Sequence, residues 1–480
     1  MIKPHVTTNA PKTAAIVLAA GKGTRMKSQL PKVLHPLLGR PMITYPVQAA
    51  LDAGADHVVV VVGHGAKDVT RVLNAHFGTH VTTALQSEQR GTGDAARCGA
   101  EEMANFQGRF LVLNGDAPLL TAATLARLGD ATIKQNAALG LLVSDAEDAT
   151  GYGRILRNRD GQVLGIREEK DCSEAERQIR EWNPGVYAVD ANFFRAQIRG
   201  LTTNNAQGEL LLTDLVARAA ALGPVADVRW PQSDLHGVND RVELVACEGV
   251  LRERINRFHA RAGATLRDPQ STFIDADVTV GMDVVIEGQV HLRGRCQIGN
   301  RVRIDTGCVL TNMTIAEGVT LLPYTVASDS QIGADAQVGP FSHLRPGTQL
   351  AEQSHVGNFV ELKKTIVGKG SKANHLSYLG DGIIGEGVNI GAGTIFCNYD
   401  SVNKHQTVLE DGVFIGSDSQ LVAPVKIGKN AYVATGTTVT HDVPRDALAI
   451  GRVRQVNKEG MAARLRAKLL AAKNAGIKSK

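Results

Sequence analysis

Residues 274–310, IDADVTVGMDVVIEGQVHLRGRCQIGNRVRIDTGCVL, place an aliphatic side chain at every sixth position: Ile274, Val280, Ile286, Leu292, Ile298, Ile304 and Leu310. A period of six fits neither the 3.6 residues of a helical turn nor the alternation of an ordinary strand. It is the signature of a parallel β-helix, in which each hexad supplies one short strand and one corner, and three hexads close a triangular coil. The period slips near Thr314 and resumes at Leu321, continuing through Ile332, Val338, Leu344, Leu350 and Val356. It returns at Leu409 and continues through Ile415, Leu421, Ile427, Val433 and Val439. These residues are expected to stack inside the prism, together with Cys296 and Cys308, which sit four positions after an aliphatic residue. Glycine suits the tight corners, which accounts for 50 glycines in 480 residues, above the usual share of about 7%.

Upstream the pattern differs. From Ala14 to Asp240, apolar runs such as AAIVLAA, HVVVVVG and RFLVLNGD alternate with helical stretches such as MITYPVQAALDAG. Continuous apolar strands separated by helices predict an α/β domain with a mostly parallel sheet covered on both faces. Residues 241–262, RVELVACEGVLRERINRFHARA, have helical spacing and strong helix formers, and predict a linker helix. The expected organisation is an N-terminal extension over 1–13, an α/β domain over 14–240, the linker over 241–262, a β-helix over 263–457 and a basic helical tail over 458–480.

Composition narrows the function classes. The net charge of +5 is modest for this length and collects after Lys458, where a solvated helix is the expected structure. Aromatic residues at 4% are too few for nucleic-acid stacking platforms, so no nucleic-acid partner is expected. The six cysteines form neither a CxxC pair nor zinc-ligand spacing, which fits a reducing cytoplasm. No apolar run reaches the ~18 residues of a membrane span, and the first residues lack a signal-peptide core.

In the α/β half, LAAGKGTRM (Leu18–Met26) follows the first apolar run and precedes PK, with Lys32. A glycine-rich turn after a strand offers backbone N–H groups to phosphate, and Arg25 and Lys32 add two cations beside it. NGDAP places Asp116 at the end of an apolar run, where open α/β sheets bind ligands. One carboxylate plus substrate phosphates is an ordinary magnesium arrangement. No GxGxxG is present in this half, which disfavours a hydride-transferring dinucleotide enzyme.

These motifs resemble the sugar-phosphate nucleotidyltransferase family. The resemblance implies that Leu18, Ala19, Ala20, Gly21, Lys32, Asn114, Gly115 and Asp116 bind UTP, with Arg25 and Lys32 catalytic. It implies further that Gln86, Gly91 and Thr92 of QSEQRGTGDA read the uracil ring, and that Gly153, Glu168 and Asn183 hold the sugar. The resemblance also implies a second magnesium ligand beside Asp116, namely Asn239 in GVND. Pro184 departs from the small polar residue expected after Asn183, and restrains that asparagine toward extended geometry.

Repeats are scaffold, and chemistry belongs where they break: at LRPGTQ, NFVELKKT, SKANHLSYLGD and IFCNYDSVNKHQT. The half resembles the hexapeptide-repeat acyltransferases, which are left-handed. Transfer from a thioester to a sugar amine needs a base, and His375 is the candidate. With ELKK, NHLSYLGD, GAGT, NYD and SDSQ in this order, the chain from Ala14 to about Glu459 resembles one family. That family is the bifunctional N-acetylglucosamine-1-phosphate uridylyltransferase and glucosamine-1-phosphate N-acetyltransferase.

The resemblance implies glucosamine 1-phosphate at Arg345, Lys363, Tyr378 and Asn389. It implies acetyl-CoA along Ala392, Asn398, Tyr399, Ser417, Thr435 and Arg452, and a homotrimer. Glu361 is expected to orient His375. Two alternatives explain less: a single nucleotidyltransferase with a regulatory β-helix leaves the His375 cluster without a purpose, and a non-enzymatic assembly subunit does not need Arg25, Lys32 and Asp116 together.

Overall fold

A computed structural model describes residues 12–474. The N-terminal extension expected over 1–13 therefore falls almost wholly outside the described residues, as does the end of the basic tail, 475–480. The described part of that tail, 458–474, contains the helix Met461–Asn474, which buries no side chain. The chain divides into two compact units, one running to Ala262 with Asp268–Val278 and Leu292–Arg295, the other holding the rest.

In the first unit, strand Thr13–Ala19 lies between His57–Val62 and Arg109–Asn114, parallel to both, and Val81–Leu85 extends the parallel set. Alternate residues of one strand feed two cores: Ala15 and Val17 pack on one face, Ala14 and Ile16 on the other. Burial on both faces is why these strands read as unbroken apolar runs. The predicted helix after the first motif spans Thr44–Asp52.

The sheet turns mixed beyond this. Tyr187–Asp190 runs antiparallel between Arg109–Asn114 and Leu139–Asp145, while Ala226–Arg229 pairs parallel to Leu139–Asp145. Gly153–Arg157 and Val163–Arg167 form a hairpin, which a short connection forces to be antiparallel. Glu181–Asn183 joins that hairpin to the main sheet. This annex carries Gly153, Glu168 and Asn183 to one side of the central strands.

The linker helix spans Arg241–Arg261. Asp240 caps it, accepting from the backbone N–H groups of Val242 and Glu243, and so satisfies two of the helix's free donors. Leu244, Cys247 and Leu251 are buried with Met26, Leu37 and Met42 in a third core.

The second unit is a left-handed parallel β-helix of hexapeptide repeats. Successive coils pair in register 17 or 18 residues apart: Val285 pairs Arg303, and Arg303 pairs Thr320. The hexad aliphatics point inward and are buried throughout, except Val280, which is half-buried. Cys296 and Cys308 are buried among them, as packing residues. The slip near Thr314 has a simple cause. Ile298 pairs Ile315, so one hexad has lost a residue and the inward position moves to Ile315, which the six-residue count passes over.

Two features depart from the regular prism. Corners do not all use glycine: Tyr324, Phe341 and Phe359 adopt left-handed φ of 58°, 53° and 57°, a conformation costing ~1–2 kcal/mol for residues with a Cβ. Their rings stack on the outside, with centroids 5.2 and 5.5 Å apart, and the contacts offset part of that cost. In addition, His355–Lys363 and Lys372–Gly380 are nine-residue strands that run round the corner, paired in register along their length. After Phe396 the next inward aliphatic is Leu409, and between them residues 399–406 form a loop before strand Thr407–Leu409 resumes the coil.

Candidate active sites

Two adjoining cavities of about 320 and 280 Å³ open at the carboxyl ends of the parallel strands in the first unit, with Leu18, Thr92, Asn114 and Asp116 in the walls of both. The smaller is lined by Ala19, Ala20, Gly21, Lys32, Gln86 and Gly91. The larger is lined by Arg25, Gly153, Glu168, Asn183 and Asn239. The residues expected to bind nucleotide and sugar thus separate into two chambers with Asp116 between them. Gly115 lines neither. It carries the turn behind Asp116, donating its N–H to the Leu18 carbonyl at 2.9 Å, and a Cβ there would meet Ile43 at 2.7 Å.

Charge converges at Asp116. Lys32 Nζ forms an ion pair with its carboxylate. The Val238 N–H donates to the Asp116 carbonyl at 2.8 Å, which ties Asn239 to the same place, and Arg25 donates to Asn239 Oδ1 at 2.8 Å. A carboxylate and an amide oxygen are the hard donors magnesium takes. The two cations already resting on them show that positive charge is accommodated at both. No group of three or more His, Cys, Asp or Glu side chains fit to hold a metal exists among the described residues, so a metal at Asp116 and Asn239 would need further ligands from outside the chain.

In the larger chamber, Glu168 accepts from the Thr213 hydroxyl at 2.9 Å, and burial raises its pKa. Asn183 donates to the Tyr187 hydroxyl at 2.7 Å and accepts from the Gly185 N–H at 3.0 Å. Pro184 is accommodated: Asn183 ends an extended strand, and the Pro184 carbonyl accepts from Asn114 at 3.4 Å. A Cβ on Gly153 would meet Ile166 at 2.8 Å, so only glycine lets the backbone lie this close. Thr213 and Tyr187 escaped sequence reading because they act through strand and helix neighbours rather than through a motif.

In the smaller chamber, Gln86 Nε2 donates to Asp94 Oδ2 at 2.9 Å and to the Gly91 carbonyl at 3.2 Å. Burial works to raise the pKa of Asp94, but hydrogen bonds from Gln86 and Arg97 prevail and lower it. Gly91 has φ 112°, and a Cβ there would lie 2.5 Å from the Leu210 carbonyl. Thr92 begins the next helix, and its hydroxyl accepts from the Leu212 N–H at 3.1 Å.

In the second unit the predicted residues lie on an outer corner. Asn358 pairs His375 across adjacent coils. Hydrogen bonds from Gly393 to Leu376, Asp418 to Ala392 and Gly436 to Ser417 continue the column through Ala392, Ser417 and Thr435. His375, Ser417 and Thr435 are exposed along this edge. The Thr435 carbonyl accepts from Arg452. The coil period is the signal that finds such columns, since residues 17 or 18 apart stack, or 25 apart across the loop.

One face from the corner bears Tyr378, paired with Glu361, and Lys363, whose strand neighbour Leu362 pairs Leu344 beside Arg345. The other face bears Asn389, paired with Lys372, which pairs His355. His355 has its pKa lowered by burial, then by the charges of Lys372 and His375. Glu361 differs from expectation: its carboxylate accepts from Arg345 at 2.9 Å and sits opposite Tyr378, while Asn358 is the register neighbour of His375. Asn398 is buried and donates to Asp381 at 2.5 Å, whereas Tyr399 is 56% exposed at the start of the loop.

A nucleotide-type α/β site joined to a hexapeptide-repeat edge defines a fused pair of transferases. Residues 15–211 match the model of the MobA-like NTP transferase domain, and residues 406–441 that of the bacterial transferase hexapeptide, six repeats. The bifunctional protein GlmU of Sorangium cellulosum is 56% identical over 460 residues, covering 95% of this chain and 97% of that protein. Those of Geotalea uraniireducens and Trichlorobacter lovleyi are 47% and 49% identical, each over 93% of this chain and 98% and 97% of theirs. The chain belongs to the GlmU family of bifunctional proteins. It is an enzyme of two activities in UDP-N-acetylglucosamine biosynthesis, a UDP-N-acetylglucosamine diphosphorylase and a glucosamine-1-phosphate N-acetyltransferase. No helix among the described residues is long and apolar enough to cross a membrane.

Proposed function

We propose that residues 263–457 acetylate glucosamine 1-phosphate first, and that residues 14–240 then transfer UMP to the product in the cytoplasm. The observation that carries the second step is the pair of chambers meeting at Asp116. UTP occupies the smaller, its phosphates against Leu18–Gly21 with Lys32 alongside. The sugar occupies the larger, held by Gly153, Glu168 and Asn183, so that its phosphate oxygen faces the α-phosphorus across Asp116. Arg25 and Lys32 stabilise the charge that develops there, which is the chief catalytic device in such transfers. Asp116 and Asn239 would hold a magnesium ion, which would supply positive charge against the phosphates. The P–O bond to pyrophosphate breaks as the sugar phosphate bonds to the α-phosphorus.

At the acyl edge, His375 takes a proton from the ammonium of glucosamine 1-phosphate. The free amine attacks the acetyl thioester, and coenzyme A leaves as the thiol. Arg345 and Lys363 bind the phosphate, Tyr378 and Asn389 the sugar. Acetyl-CoA follows the column of Ala392, Ser417 and Thr435 toward Arg452, with Tyr399 and the Asn398 backbone at its side.

The arrangement supports a homotrimer. Tyr378 and Asn389 stand on two faces of a convex corner, and side chains on such faces diverge outward. A second copy, docked along that corner, supplies the missing wall, and the exposed column of Tyr324, Phe341, Phe359 and Leu376 gives it an apolar seat. The test is to assay the half-reactions separately. His375→Ala is expected to abolish acetyl transfer alone and Asp116→Ala uridylyl transfer alone. Loss of both activities in either variant contradicts independent sites.

A further inference from the structure

The amide of Gln86 has its orientation dictated from outside. Asp94, 4% exposed in the first turn of helix Thr92–Glu101, spends one carboxylate oxygen on Arg97 at 2.7 Å and the other on Gln86 Nε2 at 2.9 Å. An ionised carboxylate only accepts and a guanidinium only donates. Gln86 therefore must turn its nitrogen toward Asp94, and the Gly91 carbonyl takes its second N–H at 3.2 Å. Both donors are spent. The amide oxygen has no partner among the described residues, and Gln86 forms part of the nucleotide chamber wall.

We propose that Arg97 and Asp94 are positioning residues that set base preference, by locking Gln86 so that only its oxygen is offered to the base. A fixed acceptor suits the N3–H of uracil and opposes the N3 lone pair of cytosine. The proposal rests on the reading of Gln86 as the residue that meets the pyrimidine ring, and adds the device that fixes its polarity. Arg97 is itself held, donating to Glu101 at 2.7 Å, so the relay is anchored on the helix and not on a mobile side chain.

The polarity can be reversed by one substitution. In Asp94→Asn, Arg97 still can only donate and claims the oxygen of the introduced amide. The NH2 group of that amide then faces Gln86, draws its oxygen away and leaves its N–H groups toward the base. Adding Arg97→Leu frees the introduced amide to turn over, and Gln86 returns to its original sense. A purely structural role for Asp94 has no such rescue.

The experiment measures kcat/KM for UTP and for CTP in the uridylyl half-reaction of the full chain, with acetyl transfer as the check on folding. Asp94→Asn is expected to lower the UTP:CTP ratio about tenfold or more, the scale of a mispaired hydrogen bond in a desolvated site. Asp94→Asn with Arg97→Leu is expected to restore most of it, and Gln86→Leu to collapse it. An unchanged ratio in Asp94→Asn, or a loss that Arg97→Leu leaves in place, overturns the relay while Gln86 remains the reader. An unchanged ratio in Gln86→Leu overturns the reading of Gln86 itself, and the relay with it.

Discussion

The two halves of this chain build their sites in opposite ways. The α/β unit folds strands, an annex hairpin and a capped helix around a pair of chambers, so residues far apart in sequence, such as Lys32, Asp116 and Asn239, meet inside one chain. The β-helix stacks aliphatic residues in its interior, and the site residues expected of it lie on an outer edge, where neighbours are set by the coil repeat. A concave site can be complete in one copy. A convex edge presents residues to something else, and here that something is proposed to be a second copy of the same edge.

The largest expected effect sharpens the contrast. Lys32→Ala removes the charge proposed to face the reacting phosphate, and is expected to lower uridylyl kcat by about 10²–10³-fold. Acetyl transfer should stay within error of wild type in the same preparation. If both fell together, the halves would not be chemically separate.

The next effect concerns the scaffold. Leu421→Ala empties an inward position of the prism, where Leu421 is fully buried between Phe396 and Val439 in adjacent coils. The expected loss is about 2–5 kcal/mol of β-helix stability, read by denaturant unfolding. Removing the helix cap by Asp240→Ala should cost about 1 kcal/mol, seen in the unfolding of the first unit. Equal destabilisation of both units by either change would argue against separate cores.

The smallest effect is a pH slope. Burial raises the pKa of Glu168, so the folded protein binds this proton more tightly than the unfolded chain does. Stability from this group is therefore greatest below the ordinary glutamate range, and falls as pH rises from there to the raised folded value. Glu168→Gln should remove that decline from the thermal midpoint against pH. A parallel curve for the variant would mean that Glu168 is not held in a desolvated place.

Much of this was legible in the sequence because its signals are periodic or contiguous. The hexads located the interior, and LAAGKGTRM located one chamber. What escaped were relations between elements. The shortened hexad at Ile315 hides inside a count of six, and the corner aromatics defy the expectation of glycine because their cost is offset by stacking that no single residue reveals. Glu361, two residues before Lys363, was expected to orient His375, yet the corner at Phe359 puts it round from Asn358, the register neighbour of His375, and Arg345 holds its carboxylate. Asp94 lay in plain view within QSEQRGTGDA, but its meaning depends on Arg97, one turn further along the helix.

The central claim is that the nucleotide site is complete in each chain and the acyl site is shared. Mixing inactive variants tests it most directly. Lys363→Ala and Asn389→Ala disable opposite faces of the corner, so co-assembled subunits should regain acetyl transfer to about a quarter of wild type, the share of interfaces pairing two intact faces in a random cyclic assembly. Lys32→Ala mixed with Asp116→Ala should regain no uridylyl transfer. Absence of recovery in the first mixture, or its appearance in the second, would contradict the account.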